Sequence, residues 1–200
     1  MTPGGGGSPA DRGGLAIFDD STERPTLAAG VFNSFDTVQW GADASTLFAA
    51  NSSSTAFDFY TLAVNAAGVT VSHDFPNVFT SPVKRIHFEP SKNLVYADNG
   101  QIIDPATGTV TGRFITPLFF ESALMVTDVA ANRAYFITQQ FSSGAVTMQS
   151  FNLTTLAAID SLTINNVNGN IGRIVRWGQN GLAFNTSGGQ VFFVAGTFVH

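Results

Sequence analysis

The sequence predicts an all-β chain, and within that class a β-propeller made of four-stranded antiparallel blades. Three observations carry this. Charged residues are only 12% of the 200, against 44% hydrophobic, with 20 Gly and 8 Pro. That balance suits short strands and tight turns and starves amphipathic helices of a charged face. Next, apolar runs of about 4–8 residues, rich in β-branched and aromatic types, alternate with turn signals, and no window sustains a helical period. Finally, the chain repeats itself. Val38-Gln39-Trp40-Gly41, followed by Leu47-Phe48, returns as Val175-Arg176-Trp177-Gly178, followed by Leu182-Ala183-Phe184. Both tryptophans of the protein sit in this phrase.

Residues 1–14, MTPGGGGSPADRGG, read as a flexible N-terminal loop, dense in Gly and Pro with nothing apolar to bury. Residues 15–200 form the propeller domain. A partial unit covers 15–32, with Ala16-Ile17-Phe18 ending at Asp19-Asp20 and a second run from Pro25 towards Phe32. The first full unit, 37–75, holds Thr37–Gly41, Thr46–Ser52, Phe57–Val64 and Val69–Phe75. The second, 83–115, holds Val83–Phe88, Leu94–Ala97, Gln101–Asp104 and Thr109–Ile115, with turns at Asn99-Gly100 and Pro105-Ala106-Thr107-Gly108. The third, 123–164, holds Ala123–Val129, Arg133–Thr138, Val146–Asn152 and Ala157–Ile164. The last, 171–199, holds Ile171–Gly178, Gly181–Asn185, Gln190–Ala195 and a stub of a fourth strand at Thr197–Val199.

Second strands align on Leu47-Phe48, Leu94-Val95-Tyr96, Ala134-Tyr135-Phe136 and Leu182-Ala183-Phe184, offset by 47, 40 and 48 residues. Four strands in roughly 40–50 residues is one propeller blade, and a blade must stack on neighbours to bury its faces. A two-layer sandwich predicts no such unit. The strands amount to about four and a half blades. Unclosed ends of this kind leave strand edges and a blade face uncovered, so self-association through open blade edges, or closure as a small ring, is expected.

Net charge is −5, and Lys84 and Lys92 are the only lysines. With no basic stripe the electrostatic term behind nucleic-acid affinity is missing, and so is attraction to an anionic membrane. No apolar run approaches the roughly 20 residues that span a bilayer, so no membrane insertion is expected. Cysteine is absent, which excludes disulfides, thiolate metal sites and cysteine nucleophiles. Met1-Thr2-Pro3-Gly4 has no charged or apolar signal region, so an export signal is expected outside this sequence.

The chemistry-bearing residues form no motif. His73, His87 and His200 show no ligand-like spacing, so no metal and no cofactor is expected. His87 alternates with Ile86 and Phe88 on an innermost strand, as a strand-face histidine or as a residue lining an axial channel. Arg85, Arg176 and Asp128 are the other candidate contacts for a ligand at the channel or loop face. Most carboxylates fall at strand ends and turns, where they cap backbone N–H groups. There is no G-x-S-x-G elbow, no phosphate loop following Gly4–Gly7, and no D-x-D-x-D-G calcium loop. No catalytic residue is assigned. The N-x-S/T patterns at Asn51, Asn152 and Asn185 are read as coincidental. Trp40 and Trp177, each before a Gly (Gly41, Gly178), are expected to pack between blades rather than to serve as sugar platforms.

One stretch carries a resemblance. Asn93-Leu94-Val95-Tyr96-Ala97-Asp98-Asn99-Gly100-Gln101-Ile102-Ile103-Asp104-Pro105-Ala106-Thr107-Gly108 resembles the repeat of YVTN-type bacterial β-propellers, and Phe151-Asn152-Leu153-Thr154-Thr155 is a weaker copy with Asn152 in place of Asp. Locally, Asp104 accepts turn N–H groups and Gly108 takes the positive φ. Gly14–Asp20 and the ending from Val175 to Val191 also look like the C-terminal half of such propellers. The resemblance implies a module of a secreted or cell-surface bacterial protein, incomplete beside a norm of about seven blades. It implies a non-enzymatic scaffold or recognition role with a carbohydrate, peptide or neighbouring protein as ligand. The alternative is a propeller enzyme of lactonase, glycosidase or lyase type acting at an axial channel. Fold alone does not decide between them.

Overall fold

A computed structural model describes residues 14–29, 35–51, 56–116, 122–140 and 143–199. The glycine-rich start, Phe32, the loop from Ser52, Glu121 and His200 lie outside them. Among the described residues there is no α-helix, and the structure is all-β, with the meandering sheets of a β-propeller.

A two-stranded ribbon comes first, β1 (Phe18–Asp19) and β2 (Thr22–Glu23). The first blade is β3 (Thr37–Trp40), β4 (Thr46–Asn51), β5 (Asp58–Asn65) and β6 (Gly68–Phe75). The second is β7 (Ile86–Glu89), β8 (Leu94–Ala97), β9 (Gln101–Asp104) and β10 (Thr109–Arg113). The third is β11 (Ser122–Asp128), β12 (Arg133–Gln139), β13 (Val146–Asn152) and β14 (Ala158–Ile164). The last is β15 (Ile171–Trp177), β16 (Gly181–Thr186) and β17 (Val191–Ala195). In every sheet, chain order is spatial order. Short turns leave antiparallel neighbours as the natural pairing.

The second strands β4 and β12 are buried almost end to end, because both faces of the first and third blades are covered. That is why they read as continuous apolar runs rather than alternating ones. Fourth strands are the reverse: β6, β10 and β14 are largely exposed and carry Thr, Ser, His and Asp.

The chain divides into two compact units, residues 1–96 with 103–111, and 97–102 with 112–200. In the first, β3 adjoins β7, and Phe48 of one blade meets Phe88 of the next at 4.9 Å between ring centroids. The opposite face of the first blade buries Leu47, Ala49, Tyr60, Leu62, Val64 and Val69, and it is covered by Leu15, Ile17, Ala28 and Phe35. The N-terminal segment is closed on itself by the backbone bridge Leu15–Ala28 and held to the first blade by the bridge Thr26–Gly68. Arg24 also donates to the Asn65 carbonyl at 2.6 Å.

In the second unit β11 adjoins β15. Tyr135, Ile137, Met148 and Leu124 of the third blade pack on Ile174, Leu182 and Phe184 of the last. The other face of the third blade stacks Phe136 and Phe151 on Phe114, all fully buried, with centroids 5.3 to 5.5 Å apart.

The last unit departs from expectation. Thr197–Val199 is a 3₁₀ turn, not a fourth strand. Gly196, at φ 99°, turns the chain inward, Phe198 and Val199 are buried, and the Tyr135 hydroxyl donates to the Val199 carbonyl at 2.8 Å. Burying two apolar side chains outweighs extending a short strand along β17.

Candidate functional site

Of the four candidate contacts, the structure brings together Arg176 and Asp128. Arg176 lies on β15 and Asp128 ends β11, and their Nη2–Oδ2 distance is 2.7 Å, with side chains 20% and 12% exposed. The guanidinium also donates to the Gln179 carbonyl at 2.6 Å and lies over the Tyr135 ring, 5.9 Å from its centroid. Asp128 accepts the Ala131 N–H through its other oxygen at 3.1 Å. Nη1 of Arg176 is buried without a hydrogen-bond partner among the described residues. The pair's hydrogen bonds are thus spent on joining neighbouring blades and closing a turn.

Arg85 and His87 belong to the first unit. Arg85 is exposed just before β7, and His87 is half-buried between buried Ile86 and Phe88. Burial holds the imidazole below its usual range, while the charge of Glu89 pulls it back up. The nearby Tyr96 phenol is pushed up to about 12, first by burial and then by the same Glu89 charge. Among the described residues no three His, Asp or Glu side chains are grouped to hold a metal ion.

Turn carboxylates and amides mostly hold backbone. Asp43 accepts Ser45 N–H at 2.8 Å, and bonds from Ser45, hydroxyl first, hold its carboxyl below the usual range. Asp104 accepts Ala106 N–H at 2.9 Å, and its carbonyl takes Gly108 N–H at 2.8 Å. Asn152 serves its own turn in the same way, accepting Thr154 N–H at 2.8 Å. An amide oxygen two residues before the donor closes the same Asx turn as a carboxylate, which is why the weaker copy of the motif still works. Gly108 has φ 68°, and a Cβ there would stand 2.3 Å from Cγ of Phe75.

The tryptophans correct the sequence reading. Trp40 is 45% exposed and Trp177 55%, so neither is buried packing between blades. Nor do they occupy one structural position. Trp40 pairs with Leu47, sharing that residue's covered face. Trp177 pairs with Gly181, which puts it on the face opposite Leu182 and Phe184. The loop after Trp40 is longer, so the apolar second strand meets the repeated phrase one residue out of phase. A one-residue shift exchanges sheet faces.

That opposite face of the last sheet is the most distinctive surface of the molecule. Register puts Val175, Ala183 and Phe193 in one row, Trp177, Gly181 and Ala195 in another, and Arg173, Asn185 and Val191 in a third. Val175, Trp177, Val191 and Phe193 are all exposed large hydrophobics. Trp177 and Phe193 form an edge-on pair at 5.1 Å and 62°. The Trp177 ring lies across Gly181, where a Cβ would come within 2.6 Å of it. Beside the pair is a shallow depression of about 140 Å³ lined by Arg173, Val175, Asn185 and Val191 among others. Sequence reasoning anticipated an uncovered blade face and did not assign these residues to it. The available signal was the alternation Arg173-x-Val175-x-Trp177 together with Val191-x-Phe193.

No family model and no curated protein matches the sequence. Among solved structures, the chain is similar to Kuenenia stuttgartiensis hydrazine synthase, with TM-score 0.56 and 9% identity over 78% of this chain and 52% of that one. It is more distantly similar to an uncharacterised protein from Listeria monocytogenes EGD-e, with TM-score 0.49 and 12% identity over 80% of this chain and 50% of that one. The chain spans about half the length of both. At such identity the first likeness shows the fold alone, a β-propeller.

Proposed function

We propose that this chain is a non-enzymatic propeller module that docks protein through the apolar face of β15, β16 and β17. Its setting is a secreted or cell-surface bacterial protein of the YVTN type. The observation that carries the docking role is the contiguous exposed set Val175, Trp177, Val191 and Phe193 on one sheet face. Clustered exposed apolar side chains are the signature of an interaction surface, whereas scattered ones are ordinary. A protein partner suits this face better than a sugar. The 62° tilt between Trp177 and Phe193 breaks the flat plane on which a pyranose would lie. The setting rests on the repeat resemblance around Asp104 and Gly108 and on the low charge content.

The test is photocrosslinking from position 193 in living cells of the source organism, with position 161 on exposed β14 as control. The expected result is covalent capture of a protein at 193 and none at 161. Equal capture at both positions, or none at 193, overturns the docking role. So does a saturable shift of Trp177 fluorescence with cell-wall oligosaccharides in a Trp40→Phe background.

A further inference from the structure

We infer that the occupant of this face is a second copy of the chain, presenting the outward side of its N-terminal ribbon, so that copies associate head to tail. The inference rests on the docking role proposed above and names its partner.

The two surfaces match in chemistry. The sheet face is apolar with one exposed cation, Arg173, which makes no ion pair among the described residues. The ribbon carries two exposed apolar side chains, Phe18 and Leu27, among surplus negative charge. Phe18 stands directly across from Glu23, so both point to one side, while Ile17 packs inward on the first blade. Leu27 is exposed between two residues that hold the ribbon down, Thr26 and buried Ala28. Arg24 neutralises Asp19 at 2.8 Å and holds its carboxyl below the usual range. Asp20 and Glu23 are exposed with no ion pair among the described residues. Apolar meets apolar, and Arg173 meets Glu23 or Asp20.

The ribbon is also a segment that already covers a sheet. Its inward side, with Leu15 and Ile17, caps the first blade, and its outward side keeps Phe18 and Leu27 in solvent. Face-to-face pairing of two last sheets is the competing arrangement for a homodimer. That face carries no carboxylate, so such a pairing gives Arg173 no partner and leaves both ribbons unused, and complementarity favours the heterologous contact.

Head-to-tail contact makes a prediction that face-to-face pairing does not share, and growth beyond a dimer separates it from a reciprocal two-fold dimer. A chain spoiled at its sheet face (Phe193→Asp) keeps a working ribbon, and a chain spoiled at its ribbon (Phe18→Ser with Glu23→Lys) keeps a working face. By sedimentation velocity the wild-type chain should grow with concentration beyond a dimer. Each variant alone should associate at least tenfold more weakly, and an equimolar mixture should form a heterodimer that stops at two chains. All three substituted side chains are exposed, and unchanged far-ultraviolet circular dichroism confirms folding. A monomeric wild-type chain overturns the inference, as does a mixture no better associated than its parts. If position 193 still captures another protein in cells, the docking role survives that failure. If it captures nothing, both fall.

Discussion

Replacing Arg176 and Asp128 separately and together decides whether the pair is a structural joint. Asp128→Asn retains an acceptor for the Ala131 N–H, and Arg176→Met retains the aliphatic stem over Tyr135. Asp128→Asn therefore removes chiefly the 2.7 Å ion pair, while Arg176→Met also removes the 2.6 Å bond to the Gln179 carbonyl, a loss shared by the single and double variants that cancels in the coupling. At an effective dielectric of about 20 and a charge separation of about 4 Å, attraction is worth about 4 kcal/mol. Desolvation of two largely buried groups offsets part of it. The 20% and 12% exposures leave the pair between the surface and fully buried regimes, and a coupling of about 2 kcal/mol is expected. Each single variant should lose about 2–3 kcal/mol and the double variant little more than either, since losing one partner already strands the other. The assay is urea unfolding followed by Trp177 fluorescence in a Trp40→Phe background, which reports the second unit. Single losses that add to within about 0.5 kcal/mol would refute the joint and free Arg176 for a ligand.

Two further outcomes are expected. Gly108→Ala forces an L side chain to φ 68° and a Cβ to within 2.3 Å of the Phe75 ring, so it should cost about 2–3 kcal/mol in chemical denaturation. Adding Phe75→Leu should recover part of the loss, and an unchanged midpoint for Gly108→Ala would contradict the contact. His87 is held below its ordinary 6.5 by burial, so below that pH the unfolded chain binds more protons than the folded one. Its contribution is present in full above 6.5 and declines as pH falls towards the folded value. His87→Gln should therefore flatten the loss of stability between about pH 7 and about pH 5, and equal slopes for variant and parent would exclude His87 as the source.

Much of the architecture is written locally. Leu47-Phe48, Leu94-Val95-Tyr96 and Ala134-Tyr135-Phe136 announce strands buried on both sides, since such strands read as unbroken apolar runs, and Leu182-Ala183-Phe184 announces a central strand in the same way although one face of its sheet is bare. Asp104-Pro105-Ala106-Thr107-Gly108 and Asn152-Leu153-Thr154 announce their turns because an Asx oxygen reaches an N–H two residues on, whatever the tertiary context. The proximity of Arg176 and Asp128 is not local. They are far apart in sequence and meet only because first strands of successive blades lie side by side.

The sequence by itself determined the class of fold, its repeat unit, the place of nearly every strand and the chemistry of the turns. All of these follow from periodicity and from bonds between near neighbours. Tertiary structure alone decided which face each strand shows and what covers it. A loop a few residues longer put Trp40 on a covered face and Trp177 on a bare one, although the sequence around them is nearly the same. It also turned Thr197–Val199 inward, because Phe198 and Val199 had a core within reach that no local pattern reveals.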